Sequence, residues 1–104
     1  ELKGKGDKHL RILSEKGVSG IHLCGENDLT EVLSFCFTGY KVELLSVIPE
    51  KNLIYEVEQS REPKFPDLNS GDLIMLASLE HRTLIAELLV LQGYRKNKHW
   101  VLFS

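Results

Sequence analysis

No charge of one sign dominates this chain: thirteen basic side chains stand against fifteen acidic ones, for a net charge of −2. Such a balance creates no long-range field toward a phosphate backbone or an anionic membrane, so nucleic acid is not expected as a partner of this domain. Long apolar runs are missing as well. Nothing approaches the roughly 20 residues of a membrane span and no signal peptide is visible, so the expectation is a soluble, cytoplasmic domain without a membrane partner. Cysteine is scarce, with Cys24 and Cys36 alone. Both sit in apolar company, one at the end of an expected strand and one inside an expected helix, which favours free buried thiols over a disulfide. No Cys-x-x-Cys occurs, and His9, His22, His81 and His99 are scattered along the chain, so no metal-ligand spacing appears and no metal is expected. Repeats and low-complexity segments are absent.

What is there is the composition of an ordinary globular domain: 104 residues, 42% hydrophobic and 27% charged. A chain of this size buries roughly two-thirds of its unfolded surface, enough for one domain to fold over residues 1–104 without metal or disulfide staples. Its opening on Glu1 in place of methionine is the expectation of a segment of a longer protein.

Along the chain, residues 7–16 carry Leu10, Ile12 and Leu13 among charges and run into Gly17, the pattern of a short amphipathic helix with its stop. Residues 18–24 form a short, nearly continuous apolar run, as in a strand buried on both faces. A helix capped by Asn27 or Asp28 follows, with Leu29, Val32, Leu33, Phe35 and Cys36 as its apolar stripe and Gly39 as its end. Residues 40–48 are rich in β-formers and close a β-α-β unit, with Pro49 ending the strand. In residues 52–57 (NLIYEV) the alternation of Leu53, Tyr55 and Val57 predicts a short edge strand, and 58–70, with Pro63 and Pro66, a loop. Residues 72–77 (DLIMLA) read as a buried strand, 79–92 as a helix capped by Ser78 and stopped by Gly93, and 99–103 (HWVLF) as a last strand.

The order predicts a Rossmann-like α/β fold: a mostly parallel sheet of four or five strands with helices on both faces. The first strand is expected centrally, with the second on one side and the third and fourth on the other. Open α/β sheets bind ligands at the carboxyl ends of their strands, where the strand order reverses, which directs attention to residues 24–27 and 77–79.

Candidate site residues follow from that placement. Gly25 permits a tight turn, and N–H groups at the following helix, near Glu26 and Asn27, suit an anionic group, although Glu26 adds opposing negative charge. The plain alternative is a turn glycine and an N-cap. Ser78, Glu80 and His81 offer a hydroxyl, a carboxylate and an imidazole to the same crevice, against capping, helix-dipole and solvated-face duties. Cys24 becomes nucleophilic only if the adjacent helix terminus lowers its pKa, and no base can be placed beside it. The basic cluster Arg95, Lys96 and Lys98 reads as a solvated turn with Trp100 in the core. No catalytic set assembles. A dinucleotide needs a Gly-x-Gly-x-x-Gly turn, and only Gly25 is present; Asn27 and Thr30 stand where further glycines are sought, and Glu50, beyond Pro49, is the one candidate ribose ligand.

Three stretches, KHLRILSEKGVSGIHLCGENDLTEVL, GYKVELLSVI and SGDLIMLASLEHRTLIAELLVLQGYRKNKHWVLFS, together resemble the small Rossmann-like domains found beside sugar-nucleotide-modifying enzymes and in some bacterial regulators. The resemblance implies a fold and a ligand pocket. The functional expectation is a non-catalytic regulatory module of a larger bacterial protein that binds a small-molecule ligand or another protein, a transcription regulator being one such host. The alternative is an enzyme-associated domain binding a nucleotide or nucleotide sugar. A homodimer through an apolar helix face or the last strand is one expectation for such a small sheet, and cover of its edge by the first helix is the alternative.

Overall fold

A computed structural model describes residues 2–25, 31, 33, 37, 40–78 and 80–103. Helix α1 (Leu2–Glu15) begins earlier than its apolar pattern indicated and buries Leu10 and Leu13, leaving Ile12 at the surface. Strand β1 (Gly20–Cys24) follows, then β2 (Glu43–Ile48), helix α2 (Glu50–Glu58), strand β3 (Asp72–Leu76), helix α3 (Arg82–Leu91) and strand β4 (Trp100–Leu102). The helix expected after Gly25 falls mostly outside the described residues; within it Glu31 and Leu33 are helical, and Leu33 and Phe37 are buried.

All strand pairs are parallel and the sheet order is β2-β1-β3-β4, with β1 central as the sequence indicated. The β1–β3 register runs without a break from Gly20↔Asp72 to Cys24↔Leu76, whereas β1–β2 shifts between Ile21 and His22, so that Ile21 pairs with Leu44 and His22 with Ser46. Side chains of a strand alternate between faces, and each face finds its own cover. Ile21, Leu23, Leu73 and Met75 pack with Leu10 and Leu13 of α1 and with Leu33 and Phe37. On the other face Cys24, Ile74 and Leu76 pack with Leu53 of α2, Ile85 and Leu89 of α3, Phe65 and Trp100. This is a Rossmann-like α/β fold.

Residues 52–57 form no edge strand; they lie within α2, and the sheet among the described residues has four strands. The alternation of Leu53, Tyr55 and Val57 is outweighed by a helical spacing through Glu50, Leu53, Ile54 and Val57, the face α2 turns inward, while Tyr55 is 56% exposed. Pro49, extended at φ −67° and ψ 124°, sits at the N-cap and loses no helical hydrogen bond there. Helix α3 also starts later than expected: His81 is its N-cap, and Ser78 lies before it.

One C-terminal motif closes α1, α2 and α3. At α1, Val18 N–H reaches the Leu13 carbonyl and Gly17 N–H that of Ser14; Arg61 and Ser60 do the same for α2, and Tyr94 and Gly93 for α3. The motif requires a left-handed residue, found at Gly17 (φ 87°), Gly93 (φ 90°) and, without the freedom of glycine, Ser60 (φ 57°). The loop from 59 to 71 is tied down by buried Phe65 and by the Pro63 carbonyl, which accepts from Gln92 Nε2 at 2.7 Å. No described helix is long and apolar enough to cross a membrane.

Candidate functional site

The carboxyl ends of β1, β2 and β3 meet where the strand order reverses, and their last backbone bonds hold them in line. Gly25 N–H donates to the Ile48 carbonyl at 3.0 Å, and Ala77 N–H to the Cys24 carbonyl at 2.8 Å. Gly25 adopts φ 149°, and a Cβ there would lie 3.1 Å from the carbonyl carbon of Ala77. Glycine therefore lets the end of β1 approach the backbone leaving β3.

Beyond these ends three polar side chains converge. Pro49 turns the chain from β2 into α2 and places Glu50 in the first helical turn, where a carboxylate meets the positive end of the dipole. Glu50 is nonetheless buried, and it is reached by Ser78, which has no exposure and whose Oγ donates to Glu50 Oε2. The same Oγ accepts the backbone N–H of His81 at 3.1 Å. Ser78 thus does not cap α3; it ties the β3–α3 turn to the start of α2. With its hydrogen bond donated to Glu50 and its oxygen accepting an amide, this hydroxyl is committed to structure.

His81 presents Nδ1 to the other carboxylate oxygen, 3.8 Å from Glu50 Oε1, too long for a hydrogen bond. That nitrogen is buried and has no hydrogen-bond partner among the described residues. Glu80 completes the group: one donor atom each from Glu50, Glu80 and His81 lie within 4.8 Å of one another. A cavity of about 410 Å³ opens beside them, lined by Glu50, Lys51, Ile54, Glu58, Glu80 and His81.

Of the residues singled out from sequence, Ser78, Glu80 and His81 come together with Glu50, and Gly25 shapes the adjoining turn. Cys24 lies wholly buried beneath them. Burial, and then the charge of Glu50, push its thiol up to about 12, so it stays protonated and is no nucleophile. It is a free cysteine, as expected. Glu26 and Asn27 lie outside the described residues. His22 is held at the β1–β2 boundary by Ser46, with Nδ1 and Oγ 2.7 Å apart. Trp100 is buried, and Arg95, Lys96 and Lys98 are exposed around it. Sequence reasoning placed Glu50 only as a ribose ligand; its position after Pro49 at a strand end was the signal, and its partner lies 28 residues away.

A larger concavity of about 610 Å³ runs along α3 and β4, lined by Ala86, Val90, Leu91, Trp100 and Leu102 with Arg82, Thr83, Glu87 and Lys96 at its margin. It is mainly apolar, whereas the strand-end cavity is bordered by the buried Glu50 carboxylate and by Glu80 and His81. Comparisons with protein-family models, with curated proteins and with solved structures return no match.

Proposed function

We propose that this domain is a non-catalytic ligand-binding module of regulatory type whose ligand is seated at the carboxyl ends of β1, β2 and β3. The observation that carries this reading is the buried Glu50–Ser78 pair at the strand-end crevice, with the His81 imidazole beside it. Buried polar groups are costly to keep, and at this place in an open α/β sheet they are the groups that orient a ligand.

The lining favours a particular chemistry. Carboxylates of Glu50, Glu58 and Glu80 border the cavity, against Lys51 and His81. Such a rim repels a phosphate and accepts hydrogen bonds from hydroxyl groups, so a hydroxyl-rich ligand such as a sugar is favoured over the phosphates of a nucleotide. The commitment of the Ser78 hydroxyl to Glu50, and the inert Cys24 thiol, support binding over nucleophilic catalysis.

A thermal-shift panel of monosaccharides, nucleotide sugars, nucleoside phosphates, NAD(P) and coenzyme A tests the reading. A ligand at a hundred times its Kd stabilises by about 2.7 kcal/mol, several degrees for a domain of this size. The expected result is a shift with a hydroxyl-rich compound, reduced in Glu50→Gln. A cooperatively melting sample with no shift, or one unaffected by Glu50→Gln, overturns it.

A further inference from the structure

We infer that Glu50, Glu80 and His81 form a binding site for one divalent transition-metal ion, Zn²⁺ being the cation their chemistry suits best. The inference goes beyond the ligand-binding reading, because it needs only these three donors and stands whether or not an organic ligand occupies the crevice.

The first argument is the unpartnered nitrogen. His81 Nδ1 is buried and has no hydrogen-bond partner among the described residues although its side chain is 37% exposed, and native structures satisfy such a nitrogen with water, a proton or a metal. His81 Nδ1 faces a carboxylate oxygen 3.8 Å away. Two donors on one four-coordinate Zn²⁺, each at 2.0–2.2 Å, stand roughly 3.4 Å apart, so an ion between them requires adjustment of only a few tenths of an ångström. Glu80 brings the third donor within 4.8 Å and is exposed, so a change of rotamer closes that distance.

The second argument is the posture of Glu50. Ser78 holds Oε2, which leaves Oε1 facing the histidine. Ligating carboxylates are oriented by such outer hydrogen bonds. Ser78 is a positioning residue in this arrangement, itself fixed by the His81 amide at 3.1 Å.

The donor set selects the cation. Mg²⁺ and Ca²⁺ take oxygen ligands throughout, whereas one imidazole nitrogen with two carboxylates suits Zn²⁺ and its first-row neighbours. Two carboxylates, a neutral imidazole protonated on its other nitrogen and one dication sum to zero charge. Three protein ligands leave a fourth position for water or for an oxygen-bearing ligand from the cavity.

The test is titration of the metal-free chain with Zn²⁺ by calorimetry and with Co²⁺ by visible absorption. One ion per chain is expected, with the visible bands of low-coordinate Co²⁺ and no thiolate charge-transfer band. Removing donors in His81→Gln combined with Glu80→Gln is expected to abolish saturable binding, and Ser78→Ala to weaken it roughly 10-fold. Both altered ligands are exposed or half-exposed, so the double variant keeps its fold, checked by circular dichroism. On the unaltered chain, Co²⁺ is expected to broaden the NMR signals of His81 and Glu50 first. No saturable binding, binding that persists in the double variant, a thiolate band, or broadening centred elsewhere each overturns the inference. Loss of metal binding alongside a retained sugar shift separates its failure from that of the ligand reading.

Discussion

Replacing Gly25 by alanine tests how the crevice is built. The backbone at Gly25 has φ 149°, which L-residues rarely adopt. Holding a side chain in such a conformation costs on the order of 1–3 kcal/mol. The new Cβ would stand 3.1 Å from the carbonyl carbon of Ala77, 3.2 Å from its oxygen and 3.3 Å from the amide nitrogen of Ser78. All three are backbone atoms, and the strand end that carries them is fixed by the Ala77 N–H···O=C bond to Cys24 at 2.8 Å. Relief by a few tenths of an ångström weakens this bond and that of Gly25 to Ile48, worth about 1 kcal/mol each. The combined loss is roughly 2–4 kcal/mol, a large part of the 5–15 kcal/mol that holds a domain together. At 4–8 °C per kcal/mol the melting temperature falls by roughly 8–32 °C. Urea unfolding followed by circular dichroism, with thermal melting alongside, measures it. A loss below about 0.5 kcal/mol, the level of an ordinary surface change, would refute the close approach of β1 to the turn after β3.

Ser60→Gly relieves the one left-handed serine in the C-terminal motifs and is expected to stabilise by about 0.5–1 kcal/mol, read as a higher urea midpoint at constant m. Ile85, with no exposure at the centre of the second core, is expected to lose about 2–5 kcal/mol as Ile85→Ala, whereas Leu91, 82% exposed on the same helix, stays within about 0.5 kcal/mol as Leu91→Ala; paired urea melts decide it. Cys24, with its thiol pushed up to about 12 from 9.0, is expected to resist iodoacetamide at pH 8 in the native Cys36→Ser chain and to react on adding urea. Because that pKa is raised on folding, its stabilisation is complete below pH 9 and declines as pH rises toward 12, so Cys24→Ser flattens the alkaline loss of stability; native alkylation as fast as in urea would contradict both statements.

The sheet was legible because its signals are local. β1 and β3 are buried on both faces and read as unbroken apolar runs, and short connections with glycine stops left one economical order for the strands. Residues 50–57 were not, because a short segment with apolar residues at 53, 54, 55 and 57 satisfies a period of 2 and a period of 3.6 at once. What decides between them is the need to cross from β2 over β1 to β3, which only the assembled sheet supplies. The same displacement hid the centre of the site. Ser78, Glu80 and His81 were singled out from their place after β3, but the interaction of Ser78 with Glu50 joins residues far apart in sequence, and its capping chemistry looked sufficient on its own. The grouping of Glu50 with Glu80 and His81 was invisible for the same reason: these residues come from two separate strand ends and form no sequence spacing.

Backbone-amide NMR tests the central claim, that the crevice beyond β1, β2 and β3 is where this domain engages its ligand, most directly. Spectra recorded with the sugars and nucleotide sugars of the panel, and separately with Zn²⁺, are expected to show the largest shifts at Gly25, Glu50, Ala77, Ser78 and His81. Shifts confined to Ala86, Val90, Leu91 and Trp100 along the apolar concavity, or an unchanged spectrum throughout, would contradict it.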